Sequence, residues 1–341
     1  MGARLASAGE DVTLIARGPH LAAIKRYGLR LVMEDGTTHL ARNVRATDSI
    51  EDAGRQDIVV LALKAHQIAA VAPEMPALFD PDTSVVTVQN GLPWWYFQKH
   101  GGEFDGERLD SLDPDGVIEA SIEADRIIGC IAYPASSIAA PGVIRHVAGN
   151  RFPVGELDGT ESDRVKLLSE TFTNAGLKSR ILTNIRAEIW LKALGNLTFN
   201  PVSALTHAML DEICRFPRTR ELAENMMLEA QAIAHKLGIQ FRCTIERRIE
   251  GAEKVGAHKT SMLQDLELGR ELETEALIGA VVELGRLTNT PIPHIHAVYA
   301  CVGLLAKSMA SARGRLPTAA APSSTRIDQY NIGQRTTAAK M

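Results

Sequence analysis

What this chain has little of narrows its class. Its four cysteines, Cys130, Cys214, Cys243 and Cys301, lie far apart, with no CxxC pair and no Cys/His ligand spacing. That argues against a zinc ribbon or a dithiol redox motif; buried free thiols in a reducing cytoplasm are the simplest reading. Basic residues number 37 against 41 acidic ones, a net charge of −4, and no long basic run occurs. Nucleic acid is therefore not an expected partner. No apolar run approaches the roughly 18 residues that span a bilayer, and the N-terminus lacks the regions of a signal peptide. No membrane partner is expected, and the expected location is cytoplasmic. His294 and His296 alternate without a third candidate ligand and read as surface or capping residues, so no metal is expected. There is no internal repeat.

What is present is ordinary globular material. The 341 residues, 45% apolar and 23% charged, suggest about two domains with a sizeable core. Residues 3–8 read as the tail of a helix closed by Gly9. Strands follow at 11–16, 29–33 and 37–41, with a helix at 20–27 between the first two. The continuous apolar run 57–63 and the stretch 84–89 read as strands buried on both faces, separated by helical periodicity over 65–78. Further strands are expected near 126–132, 143–147 and 152–155, then a helix at 162–175. Strand and helix alternate as in a doubly wound parallel sheet. From about 183 to 310 almost only helical periods remain, including 219–237, 243–255, 271–288 and 295–309. The expected fold is α/β, a Rossmann-like doubly wound sheet over 1–181, followed by an all-helical domain over 182–311. From 312 to 341 Ala, Ser, Thr, Pro and Arg dominate without apolar period, and a disordered tail is expected.

One stretch carries chemistry. Lys192, Asn196 and Asn200 recur at intervals of four, and at about 3.6 residues per turn they form one polar stripe on a helix. Ile189, Trp190, Ala193, Leu194 and Leu197 are available to anchor that helix. One amine and two amides can hold a small oxygen-rich molecule and deliver a proton to it. The plainer alternative is a solvated face, but two asparagines are poor choices for an exposed helix.

Three other positions favour a dinucleotide. Arg17 ends a strand where a NAD-specific site usually holds an acidic residue, and an arginine there suits a 2′-phosphate. It could equally be a solvated loop arginine beside Gly18-Pro19. Lys64 and Asn90 each follow the carboxyl end of a buried strand, the edge where open α/β sheets bind ligands. Asn90-Gly91 could be a plain turn. Lys64 would sit at a helix N-terminus, where the dipole disfavours a cation. Ser261 with Gln264 fits a capping box, and Glu273 could simply favour a helix's first turn. Trp94-Trp95 reads as core packing by default.

Taken in order, these motifs resemble the ketopantoate reductase (2-dehydropantoate 2-reductase) family over residues 2–310. The anchors are Leu14-Ile-Ala-Arg17-Gly, Leu63-Lys64-Ala-His-Gln67, Gln89-Asn90-Gly91, Ile185 through Pro201, Thr260-Ser261-Met-Leu-Gln264-Asp265, and Gly269 through Glu275. The resemblance implies reduction of 2-dehydropantoate to pantoate by NADPH, with Lys192 as proton donor. It implies substrate contacts at Asn196, Asn200, Ser261 and Asn90, and NADP contacts at Arg17, Lys64, Asn90, Ala135 and Glu273. A homodimer through apolar surface of the helical half is a further expectation.

The sequence departs from that pattern at its start. A dinucleotide-binding domain opens with a strand, G-x-G-x-x-G and a helix, whereas this chain begins inside that helix. Two exposed sheet edges and weak NADP binding are expected from this, whether the start is misassigned or the product is truncated. His258 and Glu273-Thr274-Glu275 also differ from the usual pattern, and the segment 101–124 could reshape the cleft mouth. A non-catalytic binding protein of the same fold and another two-domain NADP-dependent hydroxyacid dehydrogenase are the competing readings.

Overall fold

A computed structural model describes residues 1–315. Ten strands fall in the first half: β1 Val12–Ile15, β2 Leu29–Val32, β3 Thr38–Ala41, β4 Val44–Thr47, β5 Gln56–Leu61, β6 Phe79–Thr87, β7 Ile127–Cys130, β8 Ala135–Ala140, β9 Val143–Ala148 and β10 Val154–Glu156. β1 pairs in parallel with β4, and β5, β6 and β7 pair in parallel in that order, with β10 antiparallel at the far edge. A third, mixed sheet runs β3-β2-β9-β8. The doubly wound sheet is thus divided, with the two exposed edges expected where the usual opening strand is missing. Its two parallel pieces are not hydrogen-bonded to each other, and β1 and β5 each have a ladder partner on one side among the described residues.

The β5-β6-β7 sheet is covered on both faces, which is why its strands read as unbroken apolar runs. On one face Val86, Ile128 and Cys130 pack with Val165, Leu168 and Phe172 of the helix Asp163–Asn174. On the other, Val59, Leu61, Val85 and Ile127 join one continuous core with Trp95, Trp190, Leu197 and Ile233. That core runs from the sheet into the helical half. Trp94 and Trp95 are buried in it, with Trp95 Nε1 donating to Thr87 Oγ1 at 3.0 Å.

The second half is helical, with main helices Ile185–Thr206, Leu210–Arg215, Pro217–Lys236, Ile245–Val255, Ser261–Glu267, Ala280–Leu287 and Pro293–Arg315. The helix Ile185–Thr206 is its spine. Asn184 caps it, its side chain accepting from Ala187 N–H at 2.9 Å. Arg186, in its first turn, donates to the carbonyls of Tyr96, Gln98 and Leu157 and so ties the spine to the sheet half. Trp190, Leu194 and Leu197 anchor it from within.

Several expectations need correction. Residues 65–78 are not one helix: a 3-10 turn, a short α-turn and a second 3-10 stretch follow one another, and Pro73 and Pro76 prevent regular α-helical bonding. β4 and β8 carried no clear period and were missed. The turn before 280 is a π-helix, Glu275–Gly279, not an even helix from 271. Cys130 and Cys214 are buried free thiols, but Cys243 is half-buried and Cys301 exposed. The last helix continues to Arg315, so the expected irregular tail does not begin at 312; residues 316–341 lie outside the described residues. By length and composition alone, Pro293–Ala312 is apolar enough to cross a membrane, at mean hydropathy 1.3, contrary to the expectation that no segment would be. Its Ile295, Val298 and Val302 are instead buried in the core.

Candidate active site

The polar stripe forms as its spacing predicts. Lys192, Asn196 and Asn200 lie on the spine helix, with Lys192 turned towards the sheet half. Its ammonium donates to the carbonyl of Ala132, in the loop after β7, and lies 5.8 Å from the centre of the Tyr133 ring. Lys192 also lines a small cavity with Gln89, Gly91, Trp95, Cys130 and Ile131. The amine therefore stands at the carboxyl ends of β6 and β7, at the seam between sheet and helices. Burial brings its pKa down from 10.5 to about 8, opposed by weak attraction to Cys130 and Glu273. Lysine becomes a practical acid near neutrality when desolvated in this way. Burial meanwhile pushes the neighbouring Cys130 thiol up to about 12, so it stays neutral.

Two turns further along, Asn200 is buried and its Nδ2 donates to Ser261 Oγ at 3.2 Å. Ser261 is not the helix cap. Thr260 holds that position and accepts from Leu263 N–H, so the Ser261 hydroxyl is left to face the stripe. The side-chain amides of Asn90 and Asn196 have no hydrogen-bond partner among the described residues. Asn90 is held in place by Gly91, which adopts φ +81° and packs on the Ala276 carbonyl so closely that an added Cβ would lie 2.0 Å from it.

Two further contacts join the halves. Lys64 pairs with Asp265, of which the carboxylate is nearly buried; the cation that the helix dipole disfavours is thus matched across 201 positions of sequence. Glu273 is buried, accepts from Ala65 N–H at 3.3 Å, and burial raises its pKa. Sequence reasoning gave roles to Lys64 and Glu273 but none to Asp265, quoted only as the end of a motif, because its part is set by tertiary proximity. It also missed Glu188, one turn before Lys192, which is buried and takes hydrogen bonds from Tyr133, Arg180 and Arg242. Tyr133 follows the Ala132 carbonyl that holds the amine, so this cluster fixes the loop.

The remaining expected residues lie apart from the seam contacts. Arg17 begins the helix Gly18–Tyr27 after β1, exposed and with no partner for its guanidinium among the described residues. Ala135 opens β8, two residues beyond Tyr133. The segment 101–124 does shape a mouth: Asp110 and Ser111 N–H groups are held by Glu283, and Ser111, Leu112 and Ile118 line a groove of about 600 Å³ with Glu273 and Leu92. No cluster of metal-ligating side chains occurs among the described residues.

A parallel sheet whose carboxyl ends meet a helical half that supplies a desolvated lysine is an arrangement suited to a two-part oxidoreductase. The comparisons are specific. The model of "Ketopantoate reductase PanE/ApbA" matches residues 1–159 and that of its C-terminal part residues 184–306. A 2-dehydropantoate 2-reductase of Mesorhizobium japonicum is 52% identical over 307 residues, covering 90% of this chain and 94% of that protein. A candidate ketopantoate reductase of Ralstonia solanacearum MolK2 has a solved structure with TM-score 0.85 and 39% identity, covering 92% of this chain and 94% of that one. A 2-dehydropantoate 2-reductase of Methylococcus capsulatus gives TM-score 0.75 at 28% identity, covering 90% and 93%. The chain belongs to the ketopantoate reductase family, and is an oxidoreductase.

Proposed function

We propose that the protein reduces a 2-keto acid, 2-dehydropantoate first among them, to the 2-hydroxy acid with NADPH, in the cytoplasm. The observation that carries this reading is Lys192, an amine desolvated to a pKa of about 8 at the carboxyl edge of the sheet.

The side chains present suit NADP. Arg17 offers an uncommitted guanidinium at the end of β1, where a 2′-phosphate is read. The buried Glu273 carboxylate accepts one long backbone hydrogen bond and has capacity left for a ribose hydroxyl. Lys64 and Asn90 flank the same edge, with Lys64 neutralised by Asp265. Ala135 adds a backbone contact beside that edge. When bound, NADPH supplies the hydride.

The chain's own residues do the rest. Asn196, Asn200 and Ser261 hydrogen-bond the oxygens of the acid, and Asn90 orients it from the sheet side. As the keto carbon gains hydride, its oxygen takes a proton from Lys192 Nζ, and the neutral amine is reprotonated from solvent. Such a positioned donor contributes typically ~10²–10⁴-fold in rate. The Ala132 carbonyl holds the amine in line through one of its protons, and the Tyr133–Glu188 contact holds that carbonyl. A homodimer built on the helical half remains part of this proposal.

A panel of 2-keto acids with NADPH and NADH tests the reading. Turnover of 2-dehydropantoate with preference for NADPH is expected. Tight NADPH binding with no turnover of any keto acid would instead favour a non-catalytic binding protein.

A further inference from the structure

Arg248, on the helix Ile245–Val255, is an arginine without a partner. Its Nε is sealed from solvent and makes no hydrogen bond, and no carboxylate pairs with its guanidinium among the described residues. Burial lowers its pKa, and the titratable groups acting on it are Cys243 and Tyr133, neither of them a carboxylate. An unpaired, desolvated cation is costly unless a ligand completes it.

The guanidinium reaches over the spine helix at one place. A Cβ added to Gly195 would lie 2.6 Å from Arg248 Nη2 and 3.6 Å from Nε. Gly195 is three residues after Lys192 and next to Asn196, on the same face, where helical positions three apart are about 5–6 Å from one another. A glycine inside a helix is less favourable than alanine. At this position the missing side chain is the room that the guanidinium fills.

We propose that Arg248 anchors the carboxylate of the keto acid, gripping it above Gly195 while Lys192, one turn away, serves the neighbouring oxygen. The inference rests on the reading under Proposed function and deepens it: the site selects 2-keto acids over neutral ketones through a fixed cation. A guanidinium suits the task because its planar fork matches two carboxylate oxygens.

Steady-state kinetics of Arg248→Gln and Gly195→Ala with 2-dehydropantoate and its neutral methyl ester test this. Loss of one charge-assisted contact predicts a KM for the acid raised roughly 10- to 100-fold in Arg248→Gln, with kcat, the KM for the ester and NADPH affinity nearly unchanged. Gly195→Ala displaces the guanidinium while favouring the helix, so it raises the same KM in a protein at least as stable as the parent. An acid-over-ester preference intact in both variants would overturn the anchor. Absence of keto-acid turnover by the parent protein would be a different failure, that of the proposed function itself.

Discussion

The burial that brings the Lys192 pKa down also costs stability. That pKa in the folded protein, about 8, lies below the ordinary 10.5, so the unfolded chain holds that proton more firmly. Below pH 8 the folded state therefore carries the full penalty of a buried ammonium, and stability from this group rises as pH climbs from about 8 towards 10.5. Lys192→Met is expected to be more stable than the parent at pH 7, by roughly 1–3 kcal/mol, and the advantage should shrink at pH 10. Urea unfolding at both pH values measures this, and a variant less stable at pH 7 would contradict the burial argument. At this scale the sequence was partly legible. The four-residue spacing of Lys192, Asn196 and Asn200 marks one helix face without any structure. The roles of Asp265, quoted only within a motif, and of Arg248 were not legible, because each matters through a contact with a residue remote in the chain. Gly195 did carry a signal, an unexplained helix-interior glycine, which only the guanidinium above it interprets.

Among the elements, the helix Ser261–Glu267 shows how a capping pattern is read one residue out of register. Both Thr260 and Ser261 could cap, and the capping-box spacing to Gln264 pointed to Ser261. In the fold Thr260 caps and Ser261 faces Asn200. The two hydroxyls then have separable consequences. Thr260→Ala should lower stability by about 1 kcal/mol and leave KM for the keto acid close to that of the parent. Ser261→Ala should leave stability nearly unchanged and raise KM. Thermal unfolding beside initial-rate kinetics on the two variants distinguishes them, and reversed effects would restore the sequence-based assignment. Element types were legible where period and length were strong, as in the helices Asp163–Asn174 and Pro217–Lys236. They failed where proline intervened, over 72–78, and where a strand is short and outward-facing, as β8 is, with five of its six residues exposed.

For the whole molecule, the α/β-then-helical order was readable because buried parallel strands and amphipathic helices leave different periods. The separation of the parallel strands into two pieces was legible too, in the two exposed edges expected where the usual opening strand is missing; the third, mixed sheet was not, since its ladder pairing depends on neighbours in space. The two halves share one core and are tied by Arg186, by Lys64–Asp265 and by Glu273 at Ala65. Those ties hold the lysine of one half against the strand ends of the other. The claim that follows is that a single ammonium at this seam protonates the substrate oxygen. The pH profile of kcat for 2-dehydropantoate reduction, in the parent and in Lys192→Ala, tests it most directly. The account predicts a rate that is flat below pH 8 and declines above it as the amine loses its proton, and a Lys192→Ala variant that binds NADPH as the parent does yet loses about 10²–10⁴-fold in kcat. A Lys192→Ala enzyme retaining near-parental kcat and the same alkaline decline would contradict it.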